Sequence, residues 1–257
     1  MNTVRSTAVR DENSAVTTDR RGAAIVGILF ILATVSAILG LIFYQPILSS
    51  PDYLVAGAAN ANQVLLGALM ELVLVCTAIG TAIGLFPVLR PYGERIALSH
   101  LCFRFLEASV ISVGVVAVLS LLSLSQEYAA AGSPDAAAYR VSGSLLHATY
   151  KWTSALGPLL FLGINTFMYS SLLYKSKLVP RPLSITGLTG AVLVFGYGLL
   201  VISGVTAQAT PPFIFLALPI AAYEMILAGW LIVKGFAPAA AVKSSTKAGV
   251  SELLRAA

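Results

Sequence analysis

Two long stretches of the chain are almost free of charged side chains. Asp52 is the only Asp, Glu, Lys or Arg from Gly22 to Met70, and there is none from Pro182 to Tyr223. Each stretch is long enough to hold two membrane-spanning helices of about 20 residues. Charged residues make up 11% of the whole chain, against about 25% in a soluble domain. The sequence therefore predicts an all-α integral membrane protein.

Apolar length and polar interruption divide the chain into two tails and six spans. Residues 1–21 and 237–257 are polar or rich in Ala, Ser and Lys, and we expect mobile tails there, on either side of a transmembrane domain over residues 22–236. The predicted spans are Gly22–Tyr44, Asn62–Leu89, Ala97–Ser125, Trp152–Tyr174, Leu183–Val205 and Pro212–Phe236. An even number of spans places both termini on the same side.

The distribution of basic residues predicts the orientation. Thirteen Lys and Arg residues lie on one side, in the tails, in the second and fourth loops and at Lys234 near the end of the sixth span, whereas Arg140 and Lys151 are the two in the third loop. By the positive-inside rule the thirteen-charge side is cytoplasmic, so both termini are predicted on the cytoplasmic side of the cell membrane. The basic segments are short and flank apolar runs, which favours the lipid bilayer as partner and argues against nucleic acid.

The first and third loops share a short motif. Ser50-Pro51-Asp52 and Ser133-Pro134-Asp135 both have the pattern of a helix start, with Ser as N-cap, Pro in the first position and an acid in the first turn. We expect a short outer helix in each loop. Duplication of a helical hairpin and independent origin of the two motifs both remain open, because side-chain identity between the two halves is poor.

Five polar residues inside the spans are candidate site residues: Glu71, His100, Arg104, Glu107 and Glu224. A charge at a helix centre facing lipid costs about 2.5–3.5 kcal/mol, so we expect these groups to face inward. His100, Arg104 and Glu107 follow i, i+4, i+7 spacing on one helix face. Arg104, Glu107 and Glu224 are expected at similar depth, with Glu71 in the outer half. Fully ionised, the cluster would carry an excess of two negative charges, so at least one glutamate is expected to be neutral.

Prolines and glycines predict local irregularity and close packing. Pro158, in the fourth span, and Pro219, shortly before Glu224, each remove a backbone hydrogen bond, and the freed carbonyls either line a cavity or accompany an ordinary packing kink. Gly80 and Gly84 form a Gly-xxx-Gly motif, which favours close helix packing within the chain.

No sequence motif indicates a reaction. His100 and His147 are predicted on opposite sides of the membrane, so they would not bind one metal ion or haem together. The sequence has no G-x-S-x-G, H-E-x-x-H or P-loop motif. We assign no catalytic residue, no metal and no cofactor.

Three segments carry a family resemblance that covers about Thr18 to Phe236. They are Arg-Phe-Leu-Glu at Arg104–Glu107, Leu-Tyr-Lys-Ser-Lys-Leu-Val-Pro-Arg-Pro-Leu-Ser at Leu173–Ser184, and Glu224 followed by Trp-Leu-Ile-Val-Lys-Gly-Phe at Trp230–Phe236. In this combination the chain resembles the bacterial membrane proteins grouped as domain of unknown function 4386. The resemblance implies a six-helix membrane protein and supplies no reaction, substrate or cofactor.

Three functions remain open at this stage. The first is binding or permeation of a small solute, or a proton-linked process, with Glu107 and Glu224 as carboxyls that change protonation and Arg104 as their partner or as an anchor for a small-molecule or lipid ligand. The second is a structural or regulatory membrane subunit in which the same residues only tie helices together. The third is an intramembrane enzyme, for which no nucleophile or metal set is visible.

Overall fold

The computed structural model describes residues 2–132, 136–207 and 215–237, with side chains from Arg20 onward. Nine helices account for most of these ranges: α1 (Asn2–Phe43), α2 (Gln45–Leu48), α3 (Tyr53–Ala59), α4 (Ala61–Leu89), α5 (Glu94–Ala130), α6 (Ala137–Ala155), α7 (Leu162–Ser176), α8 (Arg181–Ile202) and α9 (Leu218–Val233). A 3₁₀ turn follows α4, and a π-helical segment, Leu156–Phe161, joins α6 to α7. The backbone of residues 2–21 is helical and continuous with the first span.

Five helical stretches are long and apolar enough to cross a membrane. They are Arg20–Phe43, Ala61–Tyr92, Glu94–Ala130, Ala137–Ser176 and Arg181–Ile202. The apolar helix α9 has 16 residues, or about 24 Å, which is less than the hydrocarbon thickness of about 30 Å. Residues 208–214, in which the predicted sixth span begins, lie outside the described ranges. The count of six spans therefore stays a prediction.

Large apolar side chains cover the outer surface of these helices. Phe105 and Val116 on α5 are both 62% exposed, and Val192 on α8 is 58% exposed. Contiguous apolar surface of this kind is unfavourable in water and suits contact with lipid chains.

The long helices pack in chain order and close into a ring. α1 packs on α4, α4 on α5, α5 on α6 and α7, α7 on α8, and α8 on α9, which returns to α1. At the closure, Nη2 of Arg20 donates a hydrogen bond to the carbonyl oxygen of Val233 at 3.3 Å. We call this end of the ring the basic face, because Arg20 lies there at the start of the first apolar stretch, and Arg90, Lys175 and Lys234 lie there at helix ends. The helices α2 and α3 cover the opposite face.

The Gly-xxx-Gly motif of α4 packs inside the chain, as the sequence predicts. A Cβ atom at Gly84 would lie 2.5 Å from Cγ2 of Val26, and one at Gly80 would lie 3.1 Å from Cδ1 of Leu29. Both glycines therefore let α1 approach α4 closely.

The two prolines behave differently. Pro158 lies within the π-helical segment, so the irregularity expected at this position is confirmed. Pro219 lies in the first turn of α9, where its missing N–H has no carbonyl to reach. The kink expected at Pro219 is therefore wrong, because the helix begins there.

The outer loops differ from the sequence prediction in detail. α3 begins at Tyr53, later than expected, because α2 occupies Gln45–Leu48 and Pro51 and Asp52 form the intervening turn. Ser125 of α5 donates to the carbonyl oxygen of Leu54 and so anchors α3 to the ring. The second motif, residues 133–135, lies outside the described ranges. The helix after it is not a separate short one, because α6 continues through the π-helical segment into the fourth span.

Candidate functional site

Arg104 lies at the centre of a buried polar cluster inside the ring. It is 3% exposed, and it lies about 15 Å from the first residue of α5. Its Nη1 atom donates to both carboxylate oxygens of Glu107, at 3.1 and 3.2 Å. The two side chains are one turn apart, so the helical period alone brings them together.

The other guanidinium nitrogens of Arg104 bind α4. Nε donates to the carbonyl oxygen of Ala78 at 3.3 Å, and Nη2 lies 3.5 Å from the hydroxyl oxygen of Thr81. The Thr81 hydroxyl itself donates to the Ala78 carbonyl at 2.7 Å. A planar guanidinium with five N–H donors suits such divided bonding, and these contacts fix its orientation.

Asn165 of α7 supports the Glu107 carboxylate from a third helix. Its side chain is fully buried, and Nδ2 donates to Oε2 of Glu107. The amide oxygen of Asn165 has no hydrogen-bond partner among the described residues. The only sequence signal for this residue is a lone amide in an apolar span, which by itself predicts no more than a hydrogen bond between helices.

Glu224 of α9 completes the cluster from across the ring. Its Oε1 atom lies 4.0 Å from Nη2 of Arg104, too far for a hydrogen bond, and has no hydrogen-bond partner in the described part of the chain. The side chain is 13% exposed. Since Arg104 already balances the charge of Glu107, Glu224 is the second acid beside a single cation.

His100 lies one turn of α5 closer to the basic face. It is 1% exposed, and its ring packs edge-on against Tyr169 of α7, with ring centroids 5.2 Å apart. Neither ring nitrogen makes a hydrogen bond of good geometry within the described ranges. His100 therefore borders the cluster through Tyr169 and forms no ion pair with the two acids.

Glu71 lies elsewhere in the bundle. Its carboxyl group packs over Gly40 of α1, where a Cβ atom would be 3.3 Å from Oε1 of Glu71. The carboxyl acts electrostatically on Tyr44 and Tyr150, whose rings meet edge-on at 5.9 Å. On α4, Glu71 lies about 10 Å from Ala78 along the helix axis, toward the opposite face. The structure thus brings Arg104, Glu107 and Glu224 together and leaves Glu71 apart from them, nearer the opposite face.

No metal site accompanies the cluster. Within residues 20–132, 136–207 and 215–237, no three His, Cys, Asp or Glu side chains lie close enough to hold an ion. The ring of His147 packs on Tyr53 near the opposite face, at 4.6 Å between ring centroids, far from His100.

Packing closes the Arg104–Glu107 pair to the outside, whereas the side chain of Glu224 stays 13% exposed. Arg104 and Glu107 are 3% and 4% exposed. A surface cavity of about 830 Å³ lies instead at the basic face, around the turn between α4 and α5, and is lined by Phe86, Pro87, Arg90, Pro91, Tyr92, Gly93 and Glu94. A ligand in this cavity would contact none of the cluster residues.

These apolar helices, with a polar cluster inside their ring, define a multi-pass membrane protein. The chain belongs to the family described as Domain of unknown function (DUF4386), whose model matches residues 25–235. The resemblance seen in the sequence is therefore confirmed, and the matched range includes every residue of the cluster. No curated protein and no solved structure matches the chain significantly.

Proposed function

We propose that the chain is a proton-linked membrane protein in which Glu224 gains and loses a proton beside a fixed Arg104–Glu107 pair. The observation that carries this proposal is the unpartnered Oε1 atom of Glu224, 4.0 Å from a guanidinium that is already bonded elsewhere. A second buried negative charge is costly in low dielectric, and a proton is the smallest ligand that removes it.

The rest of the cluster forms a rigid frame for this change. Arg104 is bonded to Glu107, Ala78 and Thr81, and Glu107 accepts a further bond from Asn165. Because the Arg104 nitrogens are bonded to these partners, the Arg104 side chain stays in place when the charge of Glu224 changes. The response must then come from Glu224 and from α9, which carries it.

Protonation of Glu224 would change how strongly α9 is held to α5. Two unit charges 4 Å apart attract by about 4 kcal/mol at an effective dielectric constant of about 20. The ionised form of Glu224 is drawn toward Arg104, whereas the neutral form loses this attraction. A change of this size is sufficient to shift a helix between two packing positions, which couples proton binding to movement of α9.

A structural role is the second candidate, and the burial of the cluster favours it. Hydrogen bonds of Arg104 join α5 to α4, the Glu107–Asn165 bond joins α5 to α7, and Glu224 brings in α9. Hydrogen bonds between membrane helices are stabilising in their own right. In this alternative each carboxyl keeps one protonation state at all physiological pH values.

Infrared difference spectroscopy of the protein in lipid separates the two functions. Under our proposal the stretch of a protonated carboxyl titrates between about pH 5 and 8, the range expected for a buried glutamate that changes state. The band should vanish in Glu224→Gln and persist in Glu71→Gln, which removes a buried acid outside the cluster. It should also persist in Glu127→Gln, an exposed control on α5. A spectrum that stays constant over this range would establish the structural role instead.

For the orientation, we propose that the basic face is cytoplasmic, in the cell membrane. Its support is the positive-inside rule together with the hydrogen bond between Arg20 and Val233, which holds the start of the first apolar helix and the end of α9 at one face.

A further inference from the structure

Buried hydroxyl groups continue from the cluster toward the basic face. Tyr169 and Ser170 of α7, Ser184 of α8 and Tyr223 of α9 are at most 1% exposed. We call these four side chains the hydroxyl column. The ring of Tyr169 packs on that of His100, which borders the cluster, so the column begins there.

Three members of the column, on α7 and α9, contact each other. The hydroxyls of Ser170 and Tyr223 form a hydrogen bond of 2.9 Å. The rings of Tyr169 and Tyr223 stack with centroids 6.1 Å apart. The Tyr169 hydroxyl lies beside those of Thr166 and Tyr223, without good hydrogen-bond geometry to either.

Gly187 of α8 makes room for this arrangement. A Cβ atom at this position would lie 2.6 Å from Oγ of Ser170 and would also collide with the ring of Tyr223. Ser184 lies one turn before Gly187 on the same buried face, about 5 Å from the start of α8 at the basic face. The column therefore extends from mid-membrane depth to the end of a helix.

Unsatisfied polar atoms gather along the same path. Oε1 of Glu224, the amide oxygen of Asn165, the ring nitrogens of His100 and the hydroxyl of Ser184 are buried without a hydrogen-bond partner in the described ranges. Each such atom is unfavourable if it stays unpaired. Buried water commonly bonds such groups, and water interleaved with hydroxyls forms a continuous hydrogen-bonded chain.

Toward the opposite face, apolar packing separates the cluster from the Glu71 carboxyl. Between the level of Glu107 and that of Glu71 lie Ile111 of α5, which is buried, and Gly157 of the π-helical segment, whose Cβ position is 3.2 Å from Cγ1 of Ile111. This contact leaves an apolar layer between the cluster and the Glu71 carboxyl. A proton arriving from the opposite face would have to cross this layer.

We propose that the hydroxyl column conducts protons between the basic face and Glu224, so that the site exchanges protons with one side of the membrane only; this inference rests on the function proposed above. A proton from water at the basic face enters at Ser184. Each hydroxyl or water accepts one proton and passes on another, and the last proton binds Oε1 of Glu224. The net change is one O–H bond broken at the surface and one formed on the carboxylate.

The charged and titratable groups around Glu224 are compatible with this path. They are Arg104 and Glu107 from α5, Tyr169 from α7 and Tyr223 from α9 itself. The apolar parts of α1 and α8 packed against α9 contain no Asp, Glu, Lys, Arg or His, and Tyr197 of α8 packs on Ile220. The proton on Glu224 therefore competes with a single fixed cation.

A pH jump on the full-length protein in lipid, followed by time-resolved infrared spectroscopy of the Glu224 carboxyl band, tests the column. In Tyr223→Phe the ring remains and the hydroxyl is lost. We expect protonation of Glu224 to slow by about tenfold or more, because the loss of one hydrogen bond raises the barrier to proton transfer. Ser170→Ala, which leaves the neighbours of Glu224 unchanged, should slow it similarly and serves if Tyr223→Phe does not fold. Tyr150→Phe is the matched control in the outer half and should leave the rate unchanged.

The outcomes distinguish this inference from the proposed function. A wild-type protein with no titrating carboxyl band contradicts both. If the band titrates normally and the rate of Glu224 protonation is unchanged in Ser170→Ala and Tyr223→Phe, the hydroxyl column does not conduct protons. The proposed function of Glu224 would then remain supported. Slowing in Tyr150→Phe alone would mean that protons arrive from the opposite face.

Discussion

Substitution of Arg104 by Ala is the most direct test of the buried cluster. The change removes the only cation beside two acids and leaves the Glu107 carboxylate, with a side chain 5% exposed, bonded to Asn165 alone. Breaking a buried pair by removal of one partner costs about 3–5 kcal/mol. In a protein of this size that corresponds to a fall in Tm of about 6–20 °C, at about 2–4 °C for each kcal/mol.

The assay is thermal unfolding of the purified protein in a mild detergent, with Arg90→Ala as the matched control. Arg90 also pairs with a glutamate, Glu94 at 2.9 Å, but its side chain is 59% exposed at the basic face. An exposed pair of this kind contributes about 0.3–0.5 kcal/mol, so the control should melt within about 2 °C of wild type.

A double variant separates unpaired charge from lost packing. Arg104→Met together with Glu107→Gln removes both charges and keeps most of the side-chain volume, so it should recover part of the stability lost in Arg104→Ala. Equal melting temperatures for Arg104→Ala and Arg90→Ala would refute the placement of the guanidinium inside the ring. Failure of the double variant to recover any stability would show that the hydrogen bonds to Ala78 and Thr81 matter more than the charge.

Three further results are expected. Gly190→Ala should destabilise the protein by about 1–3 kcal/mol, because its Cβ atom would lie 2.9 Å from the backbone of α9. Gly196→Ala is the control; its Cβ atom would face open space, so this variant should be neutral or stabilising. Equal melting temperatures for the two variants would contradict the α8–α9 contact. In a variant without the native cysteines, an impermeant thiol reagent added outside cells should label a cysteine at Asp52 and miss one at Lys177, and the reverse pattern would invert the proposed orientation. Asn165→Ala should cost about 1.5–3 kcal/mol in unfolding free energy, the range for a hydrogen bond to a charged group, and a loss below this range would mean that solvent replaces the amide.

The stripe of polar residues on α5 could be predicted because a helix repeats every 3.6 residues whatever surrounds it. His100, Arg104 and Glu107 share a buried face in the structure for this reason. Counting helix rise from the ends of the spans likewise predicts that Glu224 lies near the depth of Arg104, while Glu71 lies farther out. Local periodicity and membrane thickness suffice for these relations.

The partners on other helices could not be predicted in the same way. The carbonyl oxygen of Ala78 accepts a hydrogen bond from Arg104. Every residue has such an oxygen, so the sequence does not indicate which one accepts. Asn165 meets Glu107 only because α7 is rotated to face α5, and rotation about a helix axis depends on packing. Pro219 marks a helix start and not a kink, since the segment before it does not continue α9.

Closure of the ring by its last helix has a consequence for biogenesis. As the chain leaves the ribosome, each new helix finds its neighbour already in the bilayer, since contacts follow chain order up to α8. Only α9 must locate α1, a helix that is distant from it in the chain, and it delivers Glu224 to Arg104 at the same moment. Until then the guanidinium has Glu107 as its sole acidic partner, so a nascent chain that stops before α9 retains an open seam between α1 and α8.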